Sequence, residues 1–177
     1  MESLKPQLAM MNERLDQLSD LNLPAGYSER GFQVGDEAAW ERIIGDSFGG
    51  ERKFDKQMKQ DPEFRPERVR FICFGGEPIA TASAWYDEEW GEDTGCLHMV
   101  GIVSSQAGKG LGTSISLAAM HQMKREGRSR AVLRTDDFRL PAIKSYLKLG
   151  YKPHVVHDNQ PERWRAIGEK LGIPLME

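Results

Sequence analysis

The apolar residues of this chain fall into short runs of two periods, and each change of period marks an element. Leu4, Leu8, Met11, Leu15 and Leu18 recur at spacings of four, three, four and three, which is one stripe on a helix. The spacing predicts an added N-terminal helix over residues 1–22, docked on the domain or on a second subunit, so a homodimer stays open. Leu23-Pro-Ala-Gly26 breaks the stripe, and Tyr27 to Val34 alternates weakly as a strand. Asp36 is placed to cap a helix that shows Ala39, Trp40, Ile43, Ile44 and Phe48 on one side and closes at Gly49-Gly50. Arg52 to Gln60 predicts a second short helix. Val69 to Phe74 and Pro78 to Tyr86 form a hairpin around Gly75-Gly76, followed by the acidic tip Asp87 to Asp93. Cys96 to Val103 is a strand, and Leu111 to Arg125 an amphipathic helix ended by Gly127. A strand over Ala131 to Thr135 precedes a short helix that opens with Pro141 and closes at Gly150. Tyr151 to His157 returns as a strand, and Pro161 to Leu171 is a last helix with Trp164 and Ile167 inward. The order gives an α/β domain with a mixed sheet, in which the helix from Leu111 links two strands as a right-handed crossover.

Between the strand ending at Val103 and that helix lies a loop with glycines at 108, 110 and 112. The first turn of a helix has unpaired N–H groups and partial positive charge, and glycines let a phosphate approach them closely. The loop therefore predicts a phosphate-bearing ligand. Its spacing excludes two familiar nucleotide cradles. A dinucleotide fingerprint needs a third glycine where Thr113 or Ile115 stands, and a Walker A loop needs its lysine after the last glycine, whereas Lys109 lies between two.

Composition narrows the partners. The 177 residues suit a single domain over 1–177, and 39% hydrophobic with 29% charged residues is an ordinary globular balance. A net charge of −3 gives no basic stripe for nucleic acid. No apolar run approaches the roughly 20 residues that span a bilayer, and the first residues lack a signal-peptide layout. Two cysteines, Cys73 and Cys96, are too few for a disulfide framework or a cysteine-rich metal site. These features predict a cytoplasmic protein with no membrane, nucleic-acid or metal partner.

The loop resembles the acyl-CoA loop of the GNAT acetyltransferase superfamily, a V-x-V strand end followed by [QR]-x-x-G-x-[GA]. Ile102 takes the last strand position, Ala107 the Gln/Arg position, and Gly110 and Gly112 the two glycines. The segment Thr135 to Tyr151 resembles the family's second motif, N-x-x-A-[IL]-x-x-Y-x-x-x-G-[FY], through Ala142, Ile143, Tyr146, Gly150 and Tyr151, with Arg139 for the asparagine. The two motifs stand in the family's order, and the resemblance covers about residues 23 to 157. It implies a mostly antiparallel mixed sheet, splayed at the acyl-CoA site, with helices on both faces. It also implies acetyl-CoA as co-substrate, with Val100, Gly101 and Ile102 bonding the pantetheine and acetyl carbonyl through their backbone. Amides of Gly108, Lys109, Gly110, Leu111, Gly112 and Thr113 would hold the pyrophosphate, and Tyr146 would be the general acid. Ala107 offers no side-chain contact. Arg139 could replace it or be a solvated cap residue, and Lys109 could touch phosphate or be an ordinary exposed lysine.

An attacking amine must lose a proton, and His98 is the sharpest candidate base. Strand alternation places it with Val100 and Ile102. The run Leu97 to Ile102 resembles the same strand of the serotonin N-acetyltransferase branch, which carries a histidine there. The alternative is a histidine packed in the sheet. The carboxylate that other members carry two residues earlier is Cys96 here. The acidic tip could attract a cationic amine, although a charge run in a turn is ordinarily solvated. Trp85 and Trp90 could wall a substrate site, with core packing the stronger expectation for Trp85. The resemblance implies an N-acetyltransferase acting on an amine, with a small-molecule acceptor expected. A non-catalytic acyl-CoA-binding regulatory module, or an acetyltransferase of protein lysines or N-termini, stays open.

Overall fold

The computed structural model describes residues 5–177. Its centre is a seven-stranded sheet with strand order β2-β3-β4-β5-β6-β1-β7. The strands are β1 (Leu8–Asn12), β2 (Tyr27–Gly31), β3 (Val69–Phe74), β4 (Glu77–Trp85), β5 (Thr94–Ile102), β6 (Arg130–Thr135) and β7 (Lys152–His154). The helices are α1 (Glu37–Phe48), α2 (Leu111–Arg125), α3 (Leu140–Lys148) and α4 (Gln160–Leu171). Every neighbouring pair is antiparallel except β5 and β6, so the mixed, mostly antiparallel sheet is as the sequence led one to expect. Strands β2 and β7 are shorter than expected, and the segment after α1 forms a π-type turn, Asp55–Lys59, that buries Met58.

The N-terminal helix expected over 1–22 is not what forms. Leu4 lies outside the described residues, and Leu8–Asn12 is strand β1, paired with β6 on one side and β7 on the other. All five residues are buried. A strand covered on both faces carries a continuous apolar run instead of alternation, so its period is silent, while Leu, Ala and Met are good helix formers. Pairing to the sheet overrides that propensity. Leu15, the next member of the stripe, is buried separately in a 3-10 turn, with its N–H donating to Ser129 O at 3.2 Å.

Helices α1 and α2 cover opposite faces. A Cβ added at Gly95 would strike Met123 of α2, whereas one at Gly101 would strike Ser47 and Ile44 of α1. Trp40, Ile43 and Ile44 of α1 and Ile115, Ala119 and Met120 of α2 are fully buried in the core. Asp36 precedes α1 but does not cap it through its side chain. Arg30 on β2 claims the carboxylate with two bonds of 2.6 and 3.0 Å, and Gln33 N–H adds a third at 2.7 Å. A bidentate, charge-assisted pair outcompetes a single capping bond.

Strand β1 also secures the far end of the sheet. Asn12, buried at its end, donates from Nδ2 to Leu149 O just after α3 (2.8 Å) and accepts Arg14 N–H at Oδ1 (2.7 Å). Gly150 lies directly against it with φ +88°, and an added Cβ would stand 2.9 Å from Asn12 Nδ2. Just before β1, Pro6 O accepts from Arg163 and Gln7 O from Gln160, both on α4. Asn12→Ala leaves one buried acceptor and one donor unpaired, so it is expected to cost about 1–3 kcal/mol. Urea unfolding should show this as a lower midpoint at unchanged slope; an unmoved midpoint would show that the tie adds nothing.

Candidate active site

Strand β5 pairs with β6 only through Thr94–Arg130, Gly95–Ala131 and Cys96–Val132. Beyond that point β6 follows β1, and β5 residues 97–102 have no strand on that side. The divergence coincides with a bulge: Ser83 faces His98 and Thr81 faces Gly101, so β5 carries one residue more than β4. Met99 absorbs it at φ +52°, in the left-handed region that costs an L-residue about 1 kcal/mol or more. The bulge corrects one expectation. Ser83 and Thr81 share a face of β4, so His98 shares its face with Gly101 and not with Val100 and Ile102.

The opening is the mouth of a cleft of about 1140 Å³. At one end lies the glycine loop. Gly108 and Gly110 have φ of +80° and +75°, and a Cβ at either would meet nothing within 4 Å. Those glycines are required by the backbone and leave open space above it. Gly112 is closely packed, and a Cβ there would stand 3.3 Å from Ile102 Cδ1, which would have to shift by a few tenths of an ångström. Gly108, Gly110, Leu111 and Gly112 line the cleft, as does Ala107, which brings no polar side-chain atom. Thr113 and Lys109 are outside the lining. The Lys109 ammonium donates to Gln106 Oε1 (3.1 Å), which also accepts the Tyr27 hydroxyl (2.7 Å). Arg139 does line the cleft. Its guanidinium sits 4.5 Å from the Phe48 ring centre and 3.7 Å from Asp136, bridging the start of α3 and the end of α1. Of the two cationic candidates, the structure brings Arg139 to the site and turns the Lys109 side chain away.

Val100, Gly101 and Ile102 all line the cleft, but Ile102 has a partner that sequence reasoning missed. Its N–H donates to Ser47 Oγ and its carbonyl accepts from the same hydroxyl, both at 2.9 Å. Ser47 is on α1, 55 residues away, and nothing in its local pattern signals the contact.

The other end of the cleft holds the titratable groups. His98 is half-buried, its ring centre 5.6 Å from that of Trp85. Burial pushes its pKa below the ordinary 6.5, with the Asp61 carboxylate pulling the other way, so the imidazole is neutral at pH 7. Tyr146, on the last turn of α3, packs edge-on to Tyr151 at 5.9 Å. Burial raises its pKa against the opposing charge of Arg139, which keeps the phenol protonated. Both line the same cleft. Cys96 lines it too, but burial pushes its thiol to about 11, which leaves it a poor nucleophile. Trp85, only 7% exposed, belongs both to the core and to the cleft wall, and its indole N–H donates to Asp61 at 3.0 Å. Within the acidic tip, Asp87 and Glu88 reach the cleft, while Glu89 pairs with Arg134 at 2.9 Å. Asp61 was not foreseen: before Pro62 it has the local look of a turn.

A sheet parted beside a glycine-opened helix start, with a neutral imidazole and a neutral phenol in the same cleft, defines an acyltransferase-type site. The chain belongs to the acetyltransferase (GNAT) family, whose model matches residues 37–151. A mycothiol acetyltransferase from Thermomonospora curvata is 27% identical over 147 residues, covering 78% of this chain and 48% of that protein. The chain thus spans about half the length of the curated relatives it matches. In fold it is similar to a GCN5-related N-acetyltransferase from Kribbella flavida (TM-score 0.62, 24% identity, 83% of this chain and 54% of that one). It is also similar to the ribosomal-protein-S18-alanine N-acetyltransferase of Escherichia coli (TM-score 0.60, 15% identity, 73% and 79%). The family uses acetyl-CoA as co-substrate, and the open β5 edge and the unobstructed glycine loop fit such a ligand. Among the described residues, no helix is long and apolar enough to cross a membrane.

Ser47→Ala releases both backbone groups of Ile102 to a ligand. Coenzyme A, measured by calorimetry, is expected to bind about 5- to 150-fold more tightly, since the two displaced bonds are worth about 0.5–1.5 kcal/mol each. Weaker binding would mean that the hydroxyl adds to the ligand's contacts.

Proposed function

We propose that this chain is an acetyl-CoA-dependent N-acetyltransferase that moves the acetyl group directly from the thioester to a small-molecule amine. The observation that carries the proposal is the convergence of His98 and Tyr146 on the cleft that begins at the glycine loop. The co-substrate supplies an acyl carbon activated as a thioester. In this proposal the amides at Gly108, Gly110, Leu111 and Gly112 hold the pyrophosphate, with Arg139 as the side-chain contribution. Lys109 has no side-chain part, and Thr113 stands behind the first turn. Val100 and Gly101 border the reacting carbonyl, where a backbone N–H favours the developing oxyanion. Neutral His98 accepts the proton of the incoming ammonium, directly or through water, and Tyr146 donates one to the departing sulfur. The N–C bond forms as the C–S bond breaks, so no covalent enzyme intermediate is needed. The mycothiol acetyltransferase relatives support a small-molecule acceptor, and two unpaired cysteines accord with a cytoplasmic protein. Ala107 favours a second reading, a non-catalytic acyl-CoA-binding module; tight acetyl-CoA binding with no turnover on any amine would select it.

Tyr146→Phe is expected to lower kcat by about 10²- to 10⁴-fold, with the acetyl-CoA dissociation constant unchanged. Unaltered turnover would remove Tyr146 from the chemistry. A base must be neutral to act, and the His98 pKa is depressed, so kcat/KM should rise with pH along a limb centred below 6.5. In His98→Gln that limb should disappear; a wild-type profile would rule out His98 as the base.

A further inference from the structure

We infer that Asp61 seats the ammonium group of the acceptor and so selects alkylamines, which are charged at neutral pH, over neutral arylamines. This deepens the N-acetyltransferase function proposed above and rests on it. Several carboxylates reach the cleft, and two of them are paired with arginines. Glu63 pairs with Arg68 at 3.0 Å, Asp136 with Arg139 at 3.7 Å, and Asp87 Oδ1 accepts Glu89 N–H in an exposed turn. Glu88 is fully in solvent contact at the rim. Asp61 and Asp87 are both half-buried, and among the described residues no lysine, arginine or histidine lies within 4.0 Å of either carboxylate; Asp61 differs in being held by two donors, one of them the Trp85 indole beside His98.

Two neutral donors fix it instead. Glu63 N–H bonds Oδ1 at 2.9 Å, and the Trp85 indole bonds Oδ2 at 3.0 Å. A carboxylate has about four lone-pair sites, so the group is oriented but not saturated. A half-buried anion with fixed geometry and no counter-charge is a site for a cation from outside the chain. The same Trp85 whose edge holds Asp61 lies 5.6 Å, centre to centre, from the His98 ring. Carboxylate, aromatic wall and imidazole therefore form one corner. An ammonium held by Asp61 would lie in the corner that also holds the base that takes its proton. Asp61 acts on binding and not on the proton transfer itself, so its effect falls on KM for the amine.

The test compares wild type with Asp61→Asn, which keeps an oxygen for the Trp85 indole. Equilibrium binding of primary alkylamines and of arylamines to the coenzyme A-loaded protein is measured alongside steady-state acetylation. The variant is expected to bind alkylamines about 10- to 100-fold more weakly, as for a lost charge-assisted hydrogen bond. Arylamine binding and the KM for acetyl-CoA should stay within about twofold, while the urea midpoint falls slightly because Glu63 N–H loses its acceptor. Equal alkylamine binding by the two proteins would overturn the inference, and so would a parallel loss on both amine classes. Turnover by the wild type tests the enzyme separately: alkylamine binding that depends on Asp61 without acetylation would sink the catalytic function and leave the seat standing.

Discussion

One surplus residue in β5 shapes the site. Strand β5 parts from β6 after three pairs and, just beyond, has one position more than β4 between His98 and Gly101, bending at Met99. The parting leaves a strand edge without a strand partner inside the molecule, which a soluble fold normally covers or pairs. Here that edge lies in a cleft whose far end is a helix start, so unpaired backbone donors sit at two places along one groove. The bulge also brings Gly101 onto the α1 side that His98 already faces.

The same enclosure sets the protonation of His98 and Tyr146. Burial disfavours charge on both groups, lowering the His98 pKa and raising that of Tyr146. The imidazole is left able to accept a proton and the phenol able to donate one, with no specific partner required to poise either. Tyr146 depends further on the N-terminal strand. Asn12 holds the backbone just beyond the end of α3, and residues 6 and 7 hold α4, so the first described segment of the chain fixes a group far along it.

The glycine-loop end and the His98 end of the cleft are built differently. At the glycine loop backbone predominates: Ala107 offers nothing polar, the Lys109 side chain is bound to Gln106, and Arg139 is the cation on the lining there. At the His98 end side chains predominate, drawn from the loop after the π-type turn, from β4 and from the acidic tip. Ser47 closes its hydroxyl on Ile102 of β5.

The amino-acid sequence determined what depends on local backbone rules. The glycine loop and the bounds of α2 were legible because a helix start with positive φ before it demands those residues at those positions. The spacing of Tyr146 from Gly150 was legible for the same reason, within one helix. What escaped depends on partners distant in the chain. Strand β1 takes its conformation from β6 and β7, against the helical propensity of Leu-Ala-Met-Met. The bulge exists only as a mismatch between two strands, and so the sharing of a face by His98 and Gly101 could not be read from alternation. Ser47 meets Ile102, and Asp61 meets Trp85, across intervals that no periodicity encodes. Local steric preference is written residue by residue, whereas pairing register and side-chain convergence are settled only when the sheet closes.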